Sequence, residues 1–124
     1  MSQKHSNEHA VVIALEGELG AGKTTFVQKF ARACGITEPV LSPTFVILKR
    51  YTLHDSRYTL VHIDAYRLEN THELEKLGIH DLIADKNNII FIEWAERVRD
   101  ILPKNHITIH FKHVSENKRK ISIN

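Results

Sequence analysis

The segment Gly17-Glu18-Leu19-Gly20-Ala21-Gly22-Lys23-Thr24 fits the pattern G-x-x-x-x-G-K-[ST] without a mismatch. No other stretch constrains the fold as strongly, because the pattern works only between a strand and a helix. Both flanks are predicted. Ala10–Leu15 (AVVIAL) is a continuous apolar run of strand length with β-branched residues, which reads as a strand buried on both faces of a parallel sheet. From Lys23 the period turns helical. Phe26, Val27, Phe30, Ala31 and Cys34 share one face, with Gln28, Lys29 and Arg32 opposite. Gly35 is placed to end that helix in the left-handed conformation.

In such a loop the glycines let backbone N–H groups curl inward around phosphate oxygens, and the helix N-terminus adds the positive end of its dipole. Residues Glu18, Leu19, Gly20, Ala21, Gly22, Lys23, Thr24 and Thr25 are therefore the expected phosphate-binding set. Lys23 would reach the β- and γ-phosphates, and the Thr24 hydroxyl would hold Mg²⁺.

The rest of the chain reads as α/β. Phe45–Leu53 and Tyr58–Asp64 are expected as an antiparallel strand pair around a turn at Asp55-Ser56-Arg57. Asn70 is the expected N-cap of a helix, with Glu73 reaching back, Leu74 and Leu77 pointing inward and Gly78 at its end. Ile79–Ala84 follows as a short helical turn, and Asn88–Glu93 is a second buried-type strand. Trp94–Leu102 is expected as a short helix stopped by Pro103, before a hairpin of His106–His113 and Lys120–Ile123 around Ser115-Glu116-Asn117. The fold class expected is a P-loop NTPase-like mixed sheet with flanking helices, one domain over residues 1–124 with residues 1–9 disordered.

Composition narrows the function classes. Of 124 residues, 42% are apolar and 26% charged, which fits a globular domain and neither a disordered chain nor a coiled coil. No apolar run approaches the roughly 20 residues that span a bilayer, and Met1–His9 has no secretory h-region. The single cysteine, Cys34, forms no internal disulfide, and the expected compartment is a reducing cytosol. Seventeen Lys and Arg against 15 Asp and Glu give a net charge of +2, which by itself points to no nucleic acid. Nine histidines include no H-E-x-x-H and no Cys/His cluster; His106 and His110 share a strand face but lack a third ligand nearby. Lys118-Arg119-Lys120 reads as a solvated hairpin, with RNA contact the minority reading, so tRNA is expected to be met only indirectly or weakly.

A phosphate loop needs a carboxylate for its metal, usually at the end of a buried strand. Glu93 follows Ile89-Ile90-Phe91-Ile92, and Asp64 follows Leu60-Val61-His62-Ile63. Glu93 ends the cleaner buried strand and is the preferred Mg²⁺-side acid; its other role would be a helix N-cap. Asp64 would orient water, contact the metal through water, or cap a turn. Thr44, in the loop Ser42-Pro43-Thr44, is either a switch-like sensor of the γ-phosphate or a plain loop residue. Trp94 either borders the nucleotide or fills core.

GELGAGKTT (Gly17–Thr25), Ser42-Pro43-Thr44-Phe45, His62-Ile63-Asp64-Ala65-Tyr66-Arg67-Leu68 and Ile92-Glu93-Trp94 occur in that order, with Glu73-Leu74-Glu75-Lys76-Leu77-Gly78-Ile79 between them. The combination resembles the TsaE (YjeE) family of bacterial P-loop ATPases over about residues 10–111. The resemblance implies ATP and Mg²⁺ as ligands. It also implies partnership with TsaB and TsaD in making threonylcarbamoyladenosine on tRNA, from an adenylate that TsaC supplies. ATP hydrolysis would reset the complex between turnovers without transferring the threonylcarbamoyl group. By motif match Lys23 and Thr24 take the phosphate and Mg²⁺ roles, Glu93 is the metal-side acid, and Thr44 and Asp64 are the switch-like Thr and the Asp of H-x-D-x-Y-R. Family members usually carry a further strand and helix before the phosphate-loop strand, where only nine residues precede Ala10 here.

Two other classes remain open at this level. A small P-loop kinase would need an acceptor site and an Arg-bearing lid, and only 31 residues follow Glu93. A non-catalytic nucleotide-sensing adaptor would use the same loop. A GTPase is disfavoured, because Asn117-Lys118-Arg119-Lys120 lacks the Asp of N-K-x-D.

Overall fold

The computed structural model describes residues 9–17, 22–37, 39–40, 48–53, 57–115 and 118–123. In chain order the elements are β1 (Val11–Gly17), α1 (Lys23–Ala33), β2 (Leu48–Thr52), β3 (Thr59–Asp64), α2 (His72–Lys76), α3 (Ile79–Ala84), β4 (Asn88–Glu93), a 3-10 segment (Ala95–Ile101), β5 (Ile107–Ser115) and β6 (Lys118–Ile123). The strands form one mixed sheet in the order β2-β3-β4-β1-β5-β6. β1 pairs in parallel with β4 and β5, and β3 with β4, while β2 and β6 close the two ends as antiparallel partners.

The central strands are buried on both faces, and alternation divides their side chains between two apolar layers. Val12, Ala14, Val61, Ile63, Ile90 and Ile92 pack with Leu74, Ile79, Leu82, Ala95 and Val98 from α2, α3 and the 3-10 segment. Ile13, Leu15, Leu60 and Phe91 face Val27 and Ala31 of α1. Phe91 is fully buried there, with Phe30 and Phe26 edge-on at 4.9 and 6.1 Å between ring centroids. Full burial of a ring of that size stabilises by roughly 1.5–3 kcal/mol, the edge-on contacts adding to it.

This topology creates a crevice. β1 and β4 are neighbours, yet β1 leaves through α1 toward the β2–β3 side while β4 leaves through the 3-10 segment toward β5. Adjacent parallel strands whose connections depart in opposite directions open a gap at their carboxyl ends, the place where open α/β sheets bind ligands. The phosphate-loop pattern follows β1, and Glu93 ends β4.

Several local expectations need correction. Leu77 is 46% exposed and not inward, because α2 ends at Lys76 and too short a helix forms to carry a second inward turn. The capping contacts lie one residue early. The N-cap of α2 is Thr71 and not Asn70, whose Oδ1 accepts the His72 N–H at 2.9 Å from one position further out, and Glu73 reaches back to the Glu69 N–H at 3.0 Å. The segment after Trp94 is 3-10 and not α, broken at Val98 by φ −135°, ψ 35°. The strand expected from Phe45 is described only from Leu48, and residues 1–8, 41–47, 54–56 and 116–117 lie outside the described residues. Among the described residues no helix is long and apolar enough to cross a membrane.

Candidate nucleotide site

Gly17 ends β1 in register with Phe111 of β5 at φ 139°, a conformation that favours glycine. A Cβ there would sit 2.3 Å from the Phe111 carbonyl oxygen, so any side chain would force β5 away from the start of the loop. Gly22 precedes α1 in the left-handed region at φ 102°. The helix therefore begins with no side-chain cap and no acidic residue in its first turn. Among the described residues no side chain caps its leading N–H groups, and the positive end of the helix dipole suits an anion. Glu18, Leu19, Gly20 and Ala21 lie outside the described residues.

Lys23 opens α1 and is only 5% exposed. Its Nζ donates to the Gly17 carbonyl at 2.6 Å and lies 4.1 Å from the centroid of the Trp94 ring. The ammonium thus spans the crevice between the end of β1 and the end of β4. Thr24 is half-buried, and its hydroxyl lies 2.9 and 2.7 Å from the two oxygens of Glu93. Thr25 is exposed.

Glu93 is 4% exposed and faces α1 from the end of β4. Besides Thr24 it takes a hydrogen bond from His62 Nε2 at 2.6 Å. Asp64 ends β3 beside it, in the same register row, and is half-buried. Its Oδ1 accepts the Tyr66 N–H at 2.9 Å, the contact of a turn cap. Burial pushes the Asp64 carboxyl above its ordinary value of 3.8; the Tyr66 N–H opposes this, the Glu93 charge adds to it, and His62 and Lys23 oppose it. Of the two acids, the fold brings Glu93 and not Asp64 to the Thr24 hydroxyl. Thr44 lies outside the described residues.

Trp94 is the one described non-glycine residue at positive φ, 60°. Left-handed backbone at a tryptophan costs of order 1–3 kcal/mol and persists only where surroundings hold it. Here the half-buried ring packs tilted against Tyr66, 4.9 Å between centroids and 48° between planes, with Lys23 on its face and Arg97 nearby at 6.0 Å. The strained turn re-aims the chain immediately after Glu93.

The oxygens of Thr24 and Glu93 are hard donors of the kind Mg²⁺ takes. A hydroxyl that donates its proton to a carboxylate keeps its lone pairs for a cation, so these residues fit the metal; the bare start of α1 and Lys23 fit a polyphosphate. No group of three or more His, Cys, Asp or Glu among the described residues is arranged to hold a metal by itself. Histidines instead serve the fold: His110 pairs with buried Glu16 at 2.9 Å, opposite Arg99 at 3.2 Å, and His106 bonds the Pro103 carbonyl. An open concavity of about 530 Å³ lined by Arg50, Asp81 and Asp85 lies at the amino ends of β3 and β4, away from Lys23. Sequence reasoning gave no role to His62, although it stands in the H-x-D-x-Y-R motif and inside the apolar run LVHID, and passed over Glu16, whose partners come from distant segments.

The family model described as "Threonylcarbamoyl adenosine biosynthesis protein TsaE" matches residues 1–121. The tRNA threonylcarbamoyladenosine biosynthesis protein TsaE of Bacillus subtilis (strain 168) is 40% identical over 111 residues, 90% of this chain and 67% of that protein. The protein of the same name from Treponema pallidum (strain Nichols) is 36% identical over 116 residues, 94% of this chain and 83% of that one. The crystal structure of Bacillus subtilis YdiB superimposes with a TM-score of 0.74 at 33% identity, covering 95% of this chain and 70% of that one. The chain spans about two thirds of the length of several curated relatives it matches. The family match spans nearly the whole chain, and the chain belongs to the TsaE family of threonylcarbamoyladenosine biosynthesis proteins.

Proposed function

We propose that this chain binds Mg-ATP in the crevice between β1 and β4 and hydrolyses it as a subunit of the machinery that makes threonylcarbamoyladenosine on tRNA. It acts with TsaB and TsaD and resets their complex between turnovers. The observation that carries the ATP site is the Thr24 hydroxyl bonded to Glu93 at the topological switch point, with the Lys23 ammonium alongside. Family membership carries the pathway.

Thr24 and Glu93 would hold Mg²⁺, which when bound would supply charge neutralisation at the phosphates. The chain's own part is positional. Lys23 holds the phosphates from the β1 side, and the start of α1 supplies N–H donors. Thr24 and Glu93 fix the metal side. Asp64, with one oxygen on the Tyr66 N–H, has a second oxygen with which to orient water. Thr44 senses the γ-phosphate and couples it to the partner surface.

Asp64→Asn separates stability from chemistry. The folded-state pKa of Asp64 lies above its unfolded value, so the folded state binds the proton more tightly. Its contribution is fully present below pH 3.8 and is lost as pH rises through the folded pKa. The asparagine variant is therefore expected to melt at or above the wild-type temperature at pH 7, with the difference vanishing below pH 3.8, while hydrolysis falls. A variant that melts lower at pH 7 and recovers in acid contradicts this.

The pathway role is tested by counting threonylcarbamoyladenosine formed on tRNA per TsaB–TsaD complex. With this chain and ATP the count is expected to rise well beyond one. Without the chain it is expected to stop near one. Equal counts would contradict the resetting role.

A further inference from the structure

We propose that His62 is a positioning residue for Glu93, holding its carboxylate in the orientation that serves the metal side of the site. The inference rests on the reading of Glu93 given above. His62 sits within β3, fully buried, on the face that also carries Asp64 and, on the neighbouring strand, Phe91 and Glu93. Its Nε2 lies 2.6 Å from Glu93 Oε2, and a carboxylate offers only acceptors there, so Nε2 carries the proton and donates. The other ring nitrogen, Nδ1, is buried with no hydrogen-bond partner among the described residues.

Packing does not account for this ring. Leu60, Val61 and Ile63 beside it are fully buried apolar residues. An apolar side chain at position 62 would fill similar space without leaving a buried nitrogen unpaired, which is unfavourable. What the imidazole adds is a second anchor for Glu93. Thr24 has one hydroxyl proton to share between two carboxylate oxygens. With Thr24 as sole partner, the carboxylate could turn about its side-chain torsions, and the competent orientation would be populated only part of the time. Apparent metal affinity falls by that fraction. His62, bonded to Oε2 from the opposite strand, removes that freedom. Being fully buried, it acts through Glu93 and not on the nucleotide.

The test uses the full chain and binding alone. ATP binding is measured by calorimetry across a Mg²⁺ titration and in EDTA, for wild type, His62→Leu and His62→Gln. Loss of an outer donor to a metal-side carboxylate typically costs 10–100-fold. His62→Leu is therefore expected to raise the Mg²⁺ concentration for half-maximal effect by at least about tenfold. Affinity in EDTA is expected to stay within about twofold of wild type, and His62→Gln, which keeps an N–H donor, to recover most of the loss. An unchanged Mg²⁺ requirement in His62→Leu, or no recovery in His62→Gln, overturns the proposal. Should the leucine variant not fold, imidazole nitrogen NMR on the wild type decides. A proton on Nε2 whose signal moves in Glu93→Gln supports the link, and a proton on Nδ1 overturns it. Failure of the Mg-ATP reading would look different: wild type itself would bind ATP equally with and without Mg²⁺, and the NMR measurement would still decide the role of His62.

Discussion

Lys23→Ala is expected to abolish most of the thermal stabilisation that Mg-ATP confers. A ligand held at about 100 times its Kd stabilises the state it binds by about 2.7 kcal/mol, or about 10 °C for a domain of this size. In the wild type the ammonium is held between the Gly17 carbonyl and the Trp94 ring, poised over the crevice and nearly hidden from water. Phosphate oxygens would replace a neutral carbonyl and a ring face with full negative charges, a stronger set of partners for a desolvated cation. Alanine removes that cation and leaves the start of α1 as the main donor. The apo fold should be nearly unaffected, because the apolar layers under the crevice are built by other residues, Leu15, Val27 and Phe91 among them. A full ligand-induced shift in the variant contradicts the assignment of the site. So does a variant whose apo melting temperature collapses, since Lys23 would then belong to the fold.

Glu93→Gln is expected to lower the hydrolysis rate at saturating Mg-ATP by about a hundredfold, about 2.7 kcal/mol of barrier. ATP binding should fall much less. Glutamine keeps the length, and its amide oxygen still accepts from Thr24 or His62. Its NH₂ puts a donor where Glu93 has its second acceptor, within reach of the Thr24 hydroxyl, and it lacks the charge that faces the metal side. Single-turnover phosphate release, measured beside ATP affinity, separates the two effects. If Asp64→Asn were severe and Glu93→Gln harmless, the two acids would have exchanged roles.

That choice between acids shows where sequence reasoning stops. Asp64 and Glu93 end adjacent strands in the same register row, and the local preference for Glu93 rests only on the cleaner apolar run before it. What distinguishes them is α1 lying over the sheet with Thr24 in its first turn, a contact between residues 69 positions apart. The strand and helix of the β1–α1 unit, by contrast, were legible, since the apolar run, the helical period and the glycine placement agree with β1 and α1 over the described residues. Gly35 does adopt the left-handed conformation expected of it, at φ 89°.

Short elements were the less legible part. Leu77 has helical spacing from Leu74, but a helix of five residues has no sustained stripe, and Ile79 and Leu82 cover that part of the core instead. The segment after β4 has the composition of a helix, yet Trp94 enters it through left-handed backbone and Val98 breaks it. Local propensity yields there to the demand that Glu93 and Trp94 both face the crevice. Polar residues inside strands were misleading for the opposite reason. Glu16 ends one apolar run and His62 interrupts another, and their partners, Arg99 of the 3-10 segment, His110 and Glu93, are brought to them only by the tertiary fold.

The most direct test of the account is phosphate release from Mg-ATP by the full chain, alone and with cognate TsaB–TsaD. Slow release by the isolated chain and at least roughly tenfold stimulation by the pair, about 1.4 kcal/mol of barrier, is the expected result. Closure of a partner over the crevice would exclude water and select the competent arrangement of Thr44. Thr44→Ala should remove most of that stimulation and leave much of the ATP affinity. Release that is already at the assembled rate in the isolated chain, or that TsaB–TsaD never changes, would contradict it.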